Sequence, residues 1–154
     1  NRRELKQAGV PHHQMETPGL ENFIAWQKAV NMAAKVIRLT QASELSRHHW
    51  ICDQLRRAAL SVPSNIAEGY ERRGEKDTPR FYQIAMGSCA EVKTQLRVGA
   101  AANLISSVEG RSLEADCTEV LKLLTGVLKA RANHTTNSRQ PYTSPFRPPE
   151  NGKQ

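Results

Sequence analysis

Arg56-Arg57-Ala58-Ala59-Leu60-Ser61-Val62-Pro63-Ser64-Asn65-Ile66-Ala67-Glu68-Gly69-Tyr70 sets a proline, two small polar residues and a glycine inside apolar spacing that is otherwise helical. Proline in a helix interior removes a backbone donor and clashes with the preceding turn, at about 3 kcal/mol. A chain that carries it needs tertiary packing to offset that cost. Ile51, Leu55, Ala58, Val62 and Ile66 recur at three- and four-residue steps on both sides of the proline, so one inner face runs through it. The residue before proline is disfavoured in the α region. Val62-Pro63 should therefore kink the helix or split it, with Ser64 capping the second half. A kinked, continuous helix from about Ser46 to Arg73 is favoured, with Gly74 as its C-terminal stop.

Three more helical patterns flank this one. Upstream, Asn22 is a plausible N-cap, and Phe23, Trp26, Val30, Ala33, Ile37 and Thr40 form an a/d-type stripe over 22–40. Downstream, Thr78 can cap and Pro79 suits the first helical position, where its missing amide costs nothing. Phe81, Ala85, Ser88, Val92, Leu96 and Gly99 then share one face to about Asn103. Ala85, Gly87, Ser88 and Gly99 are small enough to let a neighbouring helix approach closely. The last pattern starts near Glu109 or Ser112 and reaches Arg131, with Leu113, Cys117, Val120, Leu121, Leu124 and Leu128 as its stripe. The connections are short, so sequential helices should pack antiparallel. The expected fold is all-α: an up-down-up-down four-helix bundle over residues 21–132. Residues 1–20 read as a flexible arm, and residues 133–154, rich in Asn, Thr, Ser and Pro, as a disordered basic tail.

At 154 residues this is one domain by length, with few aromatics and mostly Ala, Leu, Val and Ile in its apolar set. No apolar run approaches the roughly 18 residues of a membrane span, and residues 1–20 hold no signal-peptide core. Cys52, Cys89 and Cys117 show no C-x-x-C spacing and read as buried reduced thiols of a cytoplasmic protein. The net charge is +7, with five bases against one acid in residues 129–154 and near balance elsewhere. Such a charge can support binding to a polyanion without identifying one.

Three blocks carry a family resemblance: Phe23-Ile24-Ala25-Trp26-Gln27-Lys28-Ala29; Gln54 to Ala59 with Ser61 to Gly69; and Arg80 to Leu96. Together they span roughly residues 22–131. They resemble the four-helix-bundle proteins encoded by intervening sequences within bacterial 23S ribosomal RNA genes. The accessory variability proteins of diversity-generating retroelements are relatives of that family. The long, chemically odd S-x-P-S-N-I-A-E-G run makes chance an unconvincing explanation, while both arms fall outside the match. The resemblance implies a four-helix bundle, a ring-like homopentamer and non-catalytic nucleic-acid binding through a basic surface. In the retroelement relatives the bundle assists a reverse transcriptase.

The candidate nucleic-acid contacts are Arg56, Arg57, Arg72, Arg73, Arg80, Lys93 and Arg97. Arg57 points away from the core residue Leu55, by about 200° around the helix. Asp53 lies four residues before Arg57 and Glu68 four before Arg72, spacings that suit intrahelical ion pairs. The other five lack such well-oriented acids and are the stronger candidates for phosphate. Arg72, Arg73, Lys76 and Arg80 gather at one bundle end, diluted by Glu71, Glu75 and Asp77. A homo-oligomer would multiply that weak patch into a ring.

A second cluster, Ser64, Asn65 and Glu68 beside Ser88, Glu91 and Gln95, reads as a polar network serving backbone groups freed by Pro63. His48 and His49 point about 100° apart on a helix, a poor arrangement for sharing one metal. No Glu-x-x-His or nucleophile-elbow motif is present. Phe23 and Trp26 read as core or interface residues. The expectation is therefore a non-enzyme without cofactors that binds RNA or DNA backbone with little sequence readout. The alternative is a structural scaffold that docks a larger enzyme.

Overall fold

The computed structural model describes residues 19–42, 44–74 and 76–137, the last three of these without side chains. Among the described residues the chain forms four α-helices: α1 (Ile24–Gln41), α2 (His49–Glu71), α3 (Thr78–Ala101) and α4 (Ser107–Asn137). Short 3-10 turns at Leu20–Asn22 and Leu45–Arg47 precede α1 and α2. Each helix packs on its sequence neighbours, α4 closes the ring against α1, and the diagonal pairs keep apart. Pairs such as Lys28–Glu119 and Lys35–Asp116, at 2.9 and 2.7 Å, run in opposite senses along α1 and α4. These contacts define the expected antiparallel up-down-up-down bundle. Both ion pairs lie at the surface, where each contributes about 0–1 kcal/mol.

Helix α2 runs through Pro63 without a break. Ile51, Leu55, Ala58, Val62 and Ile66 are all buried, as their spacing requires. Ser64 and Asn65 do not seek the Ala59 carbonyl, whose donor Pro63 removes. The Ser64 hydroxyl donates to the Leu60 carbonyl at 2.8 Å, and the Asn65 amide to the Ser61 carbonyl at 2.8 Å. Ser61 and Ser88 meet at 2.8 Å across the α2–α3 seam, so part of the expected polar network exists. Gly74, at φ +102°, ends the segment in the left-handed region that glycine adopts freely.

Two expected faces need correction. In α1 the buried column is Ala25, Ala29, Met32, Ala33, Val36, Leu39 and Thr40, while Val30 is exposed and Phe23 and Trp26 lie at the core margin. Small alanines occupy the seam where backbones come close; the two large rings fit beside it. In α3, Tyr82 and Cys89 take the inner places expected for Phe81 and Ser88. Gly87 faces open space and mediates no close approach, whereas a Cβ on Gly99 would stand 2.5 Å from Ile105 Cδ1.

The helix ends also differ. Thr78 does not cap α3; it is buried, and its hydroxyl donates to the Arg72 carbonyl, tying the α2–α3 turn. Asp77 stands at the N-cap, with Pro79 in the first turn. Helix α4 starts earlier than expected. The Ser106 hydroxyl accepts from the Glu109 amide at 3.2 Å and donates to the Glu109 carboxylate at 2.6 Å, a side-chain N-cap. The helix also continues to Asn137, into the stretch expected as tail. The rest of that tail, and residues 1–18 of the expected N-terminal arm, lie outside the described residues. Among the described residues no helix is long and apolar enough to cross a membrane.

Candidate nucleic-acid interface

The start of α1, the end of α2, the start of α3 and the end of α4 share one pole of the bundle. An aromatic base underlies it. Phe23 lies 5.3 Å from Tyr70 and 6.3 Å from Tyr82, ring centroid to centroid. Gly69 lets Tyr82 in: a Cβ there would stand 2.7 Å from the ring.

Cations are held on this base. The Arg73 guanidinium sits 4.4 Å from the centroid of Tyr70, and that of Arg72 sits 5.3 Å from the centroid of Phe81. Such cation–π contacts stabilise by about 0.5–1 kcal/mol at exposed sites and hold the side chain in place. Arg72 also pairs with Glu68, the partner its spacing suggested. Arg80 is exposed nearby on the first turn of α3. Lys76 and Arg131 line one cleft beside it. Burial pushes the Tyr82 phenol up, while Arg131 and Arg73 pull it down.

The other four candidates separate from this pole. Arg56 was expected to lack an oriented acid, and Arg57 to pair with Asp53. The structure reverses these roles. Arg56 donates to the Thr40 hydroxyl at 2.9 Å, to the Thr40 carbonyl at 3.3 Å and to Asp53 at 3.4 Å. It ties α2 to the end of α1. Arg57 stays exposed on the outer face. Lys93 donates to the Thr118 hydroxyl at 3.0 Å and Arg97 to Glu114 at 2.9 Å. Their partners come from α4, which neighbours along α3 could not disclose. Both are interhelical ties.

Sequence reasoning missed Arg131 and the aromatic base. The signal was present in helix parity: in an up-down bundle the ends of α2 and α4 meet at one pole. His48 precedes α2 and His49 opens it. Among the described residues no three His, Cys, Asp or Glu side chains are grouped as metal ligands.

The fold and this pole define a class, a small antiparallel four-helix bundle with a cationic, aromatic-backed end. The chain matches the family described as 23S rRNA-intervening sequence protein over residues 21–126, and it belongs to that family. No curated protein matches it. A solved structure from Bacteroides thetaiotaomicron VPI-5482, described as a protein of unknown function from the S23 ribosomal protein family, is similar in fold. It aligns with a TM-score of 0.63 and 22% identity, over 69% of this chain and 99% of that one.

Proposed function

We propose that this protein is a non-catalytic accessory factor that binds nucleic-acid backbone through its cationic pole. The observation that carries the reading is convergence. Just beyond α2, Arg72 and Arg73 stand over Phe81 and Tyr70, Arg80 is exposed on the first turn of α3, and Arg131 from α4 lines the adjoining cleft with Lys76. Cations held on rings present a formed surface to phosphates, and such contacts carry little sequence information. The reading includes a homopentamer, whose repeated poles would form a positive ring. It also includes a cytoplasmic location, and a reverse transcriptase as protein partner on the family resemblance.

The test is a titration with structured RNA and with duplex DNA at low and moderate salt. Affinity should fall steeply as salt rises, because phosphate binding releases counterions. A flat response would refute the backbone reading. Light scattering checks the ring, and a monomer would sink it. Copurification with the enzyme checks the partner.

A second reading, a protein-docking scaffold, has its own observation. Trp50, Val98 and Val108 are 62%, 48% and 69% exposed towards the opposite pole. Exposed apolar surface of this kind marks interaction sites.

A further inference from the structure

Beside the cationic pole, the start of α3 and the end of α4 enclose a cleft of about 570 Å³. That volume falls within the roughly 300–1,000 Å³ of small-ligand sites. Its chemistry sets it apart from its neighbours. Pro79 and Leu128 offer apolar surface, Gln83 a side-chain amide, and Lys76 and Arg131 positive charge. Among the described residues no carboxylate lines it. Three other clefts among the described residues carry acids: Glu44 and Glu109 in one, Asp116 and Glu119 in another, Glu109 in the third. Where cations line those clefts they do so beside acids, Lys28, Lys35 and Arg38 with Asp116 and Glu119 in one and Lys35 and Arg38 with Glu109 in another, whereas Lys76 and Arg131 line this one beside neutral residues.

The lining discriminates among anions. A bare phosphate would use the two cations and leave the apolar surface without a role. A nucleotide uses every part. Its base has a flat apolar face for Pro79 and Leu128 and a polar edge for an amide that both donates and accepts. Its phosphates match Lys76 and Arg131. A base stacked and paired within a continuous duplex cannot enter, whereas an unpaired base can turn out of the strand.

We propose that this cleft receives one unpaired nucleotide of a strand whose backbone lies across the cationic pole, so the protein prefers single-stranded ends and loops to continuous duplex. The inference rests on the backbone-binding reading and adds the form of nucleic acid to it.

The experiment compares a blunt duplex with the same duplex carrying a short single-stranded overhang, at one fixed salt concentration. The overhang probe should bind about tenfold tighter, the effect of one well-held base. Ala132→Trp fills the cleft from an exposed helical position, and Gln83→Glu sets a carboxylate at its edge. Both variants should retain helicity by circular dichroism and most of the blunt-duplex affinity, and both should lose the overhang preference. If Ala132→Trp fails to fold, Gln83→Glu carries the test alone. Equal binding of the two wild-type probes overturns the cleft inference and leaves backbone binding intact. A preference that survives the folded variants places the unpaired base elsewhere and also overturns it. Binding of neither probe overturns both readings.

Discussion

Arg73 lies over Tyr70, its guanidinium carbon 4.4 Å from the ring centroid, and Tyr70 in turn leans on Phe23 from the first residues of the bundle. A surface arginine is thereby braced by aromatic packing that reaches into the core. An unbraced side chain loses rotamer freedom when it meets a phosphate. Arg73 has already given up much of that freedom in the fold, which makes it a better ligand than its charge alone implies.

Replacing Arg73 and Arg80 together by alanine should weaken binding to structured RNA and lower the salt dependence by about one unit of slope per lost phosphate contact. Replacing Lys93 and Arg97 should leave that slope unchanged, because their donors are committed to Thr118 and Glu114. A salt series of gel-shift titrations on the two double variants checks both. Equal losses would mean that the pole has no privileged role.

Gly69→Ala should destabilise the bundle despite alanine's better helix propensity, which is worth about 1 kcal/mol. The added Cβ would lie 2.7 Å from Cε1 of Tyr82. That ring is buried against Phe23, so it cannot swing aside. Overpacking of this kind costs about 1–3 kcal/mol. Urea unfolding should show a lower midpoint, and the smaller side chain of Tyr82→Leu should relieve the penalty in the double variant.

Thr40→Val should cost about 1–3 kcal/mol through unsatisfied donors rather than lost volume. The Thr40 hydroxyl is buried, donates to the Ile37 carbonyl at 2.7 Å and accepts from Arg56 at 2.9 Å. Thermal unfolding measures the loss. Thr40→Ser, which keeps the hydroxyl, should recover most of it.

Stability should decline at alkaline pH through Tyr82. Burial raises its phenol above the unfolded value. The neutral form therefore stabilises the fold below about pH 10, and that contribution disappears as pH rises through the folded value. Phenolate absorbance should show one tyrosine titrating later than the rest, and Tyr82→Phe should remove that late component. A titration unchanged by the substitution would refute the assignment.

The thiols should be silent to a water-soluble disulfide reagent until the protein unfolds. Cys52, Cys89 and Cys117 are free and fully buried. Burial raises the Cys52 thiol, and the hydrogen-bonded Cys89 together with burial raises Cys117; the same hydrogen bond lowers Cys89, which is shielded by its burial alone. The thiolate is the reacting species, so labelling should follow the unfolding rate. Rapid reaction of any of the three in native buffer would show that the core opens locally.

Helix α2 was legible at the five positions of its expected inner column, Ile51, Leu55, Ala58, Val62 and Ile66, although Cys52, Ala59 and Gly69 are buried beside them. Helix α1 was not. Two adjacent columns are apolar there, one through Phe23, Trp26 and Val30 and one through Ala25, Ala29 and Met32. Which column turns inward depends on how closely α2 and α4 approach, and the alanine column allows the closer contact. The same blindness affected the charges. Spacing offered Asp53 to Arg57 at four residues, yet Arg56 at three takes it. Thr40 on α1 decides that choice by drawing the Arg56 guanidinium to its own side.

What the chain determined alone is local. Periodic apolar residues specify helices, short turns fold them back on one another, and a proline is tolerated where packing on both sides compensates for its missing donor. What required the assembled bundle is the fate of each surface cation. Thr118 and Glu114 engage Lys93 and Arg97, and the end of α4 carries Arg131 to the cleft that Lys76 also lines. A helix's pattern says which side is greasy; its rotation and register against three partners decide which charges meet across a seam and which face the solvent.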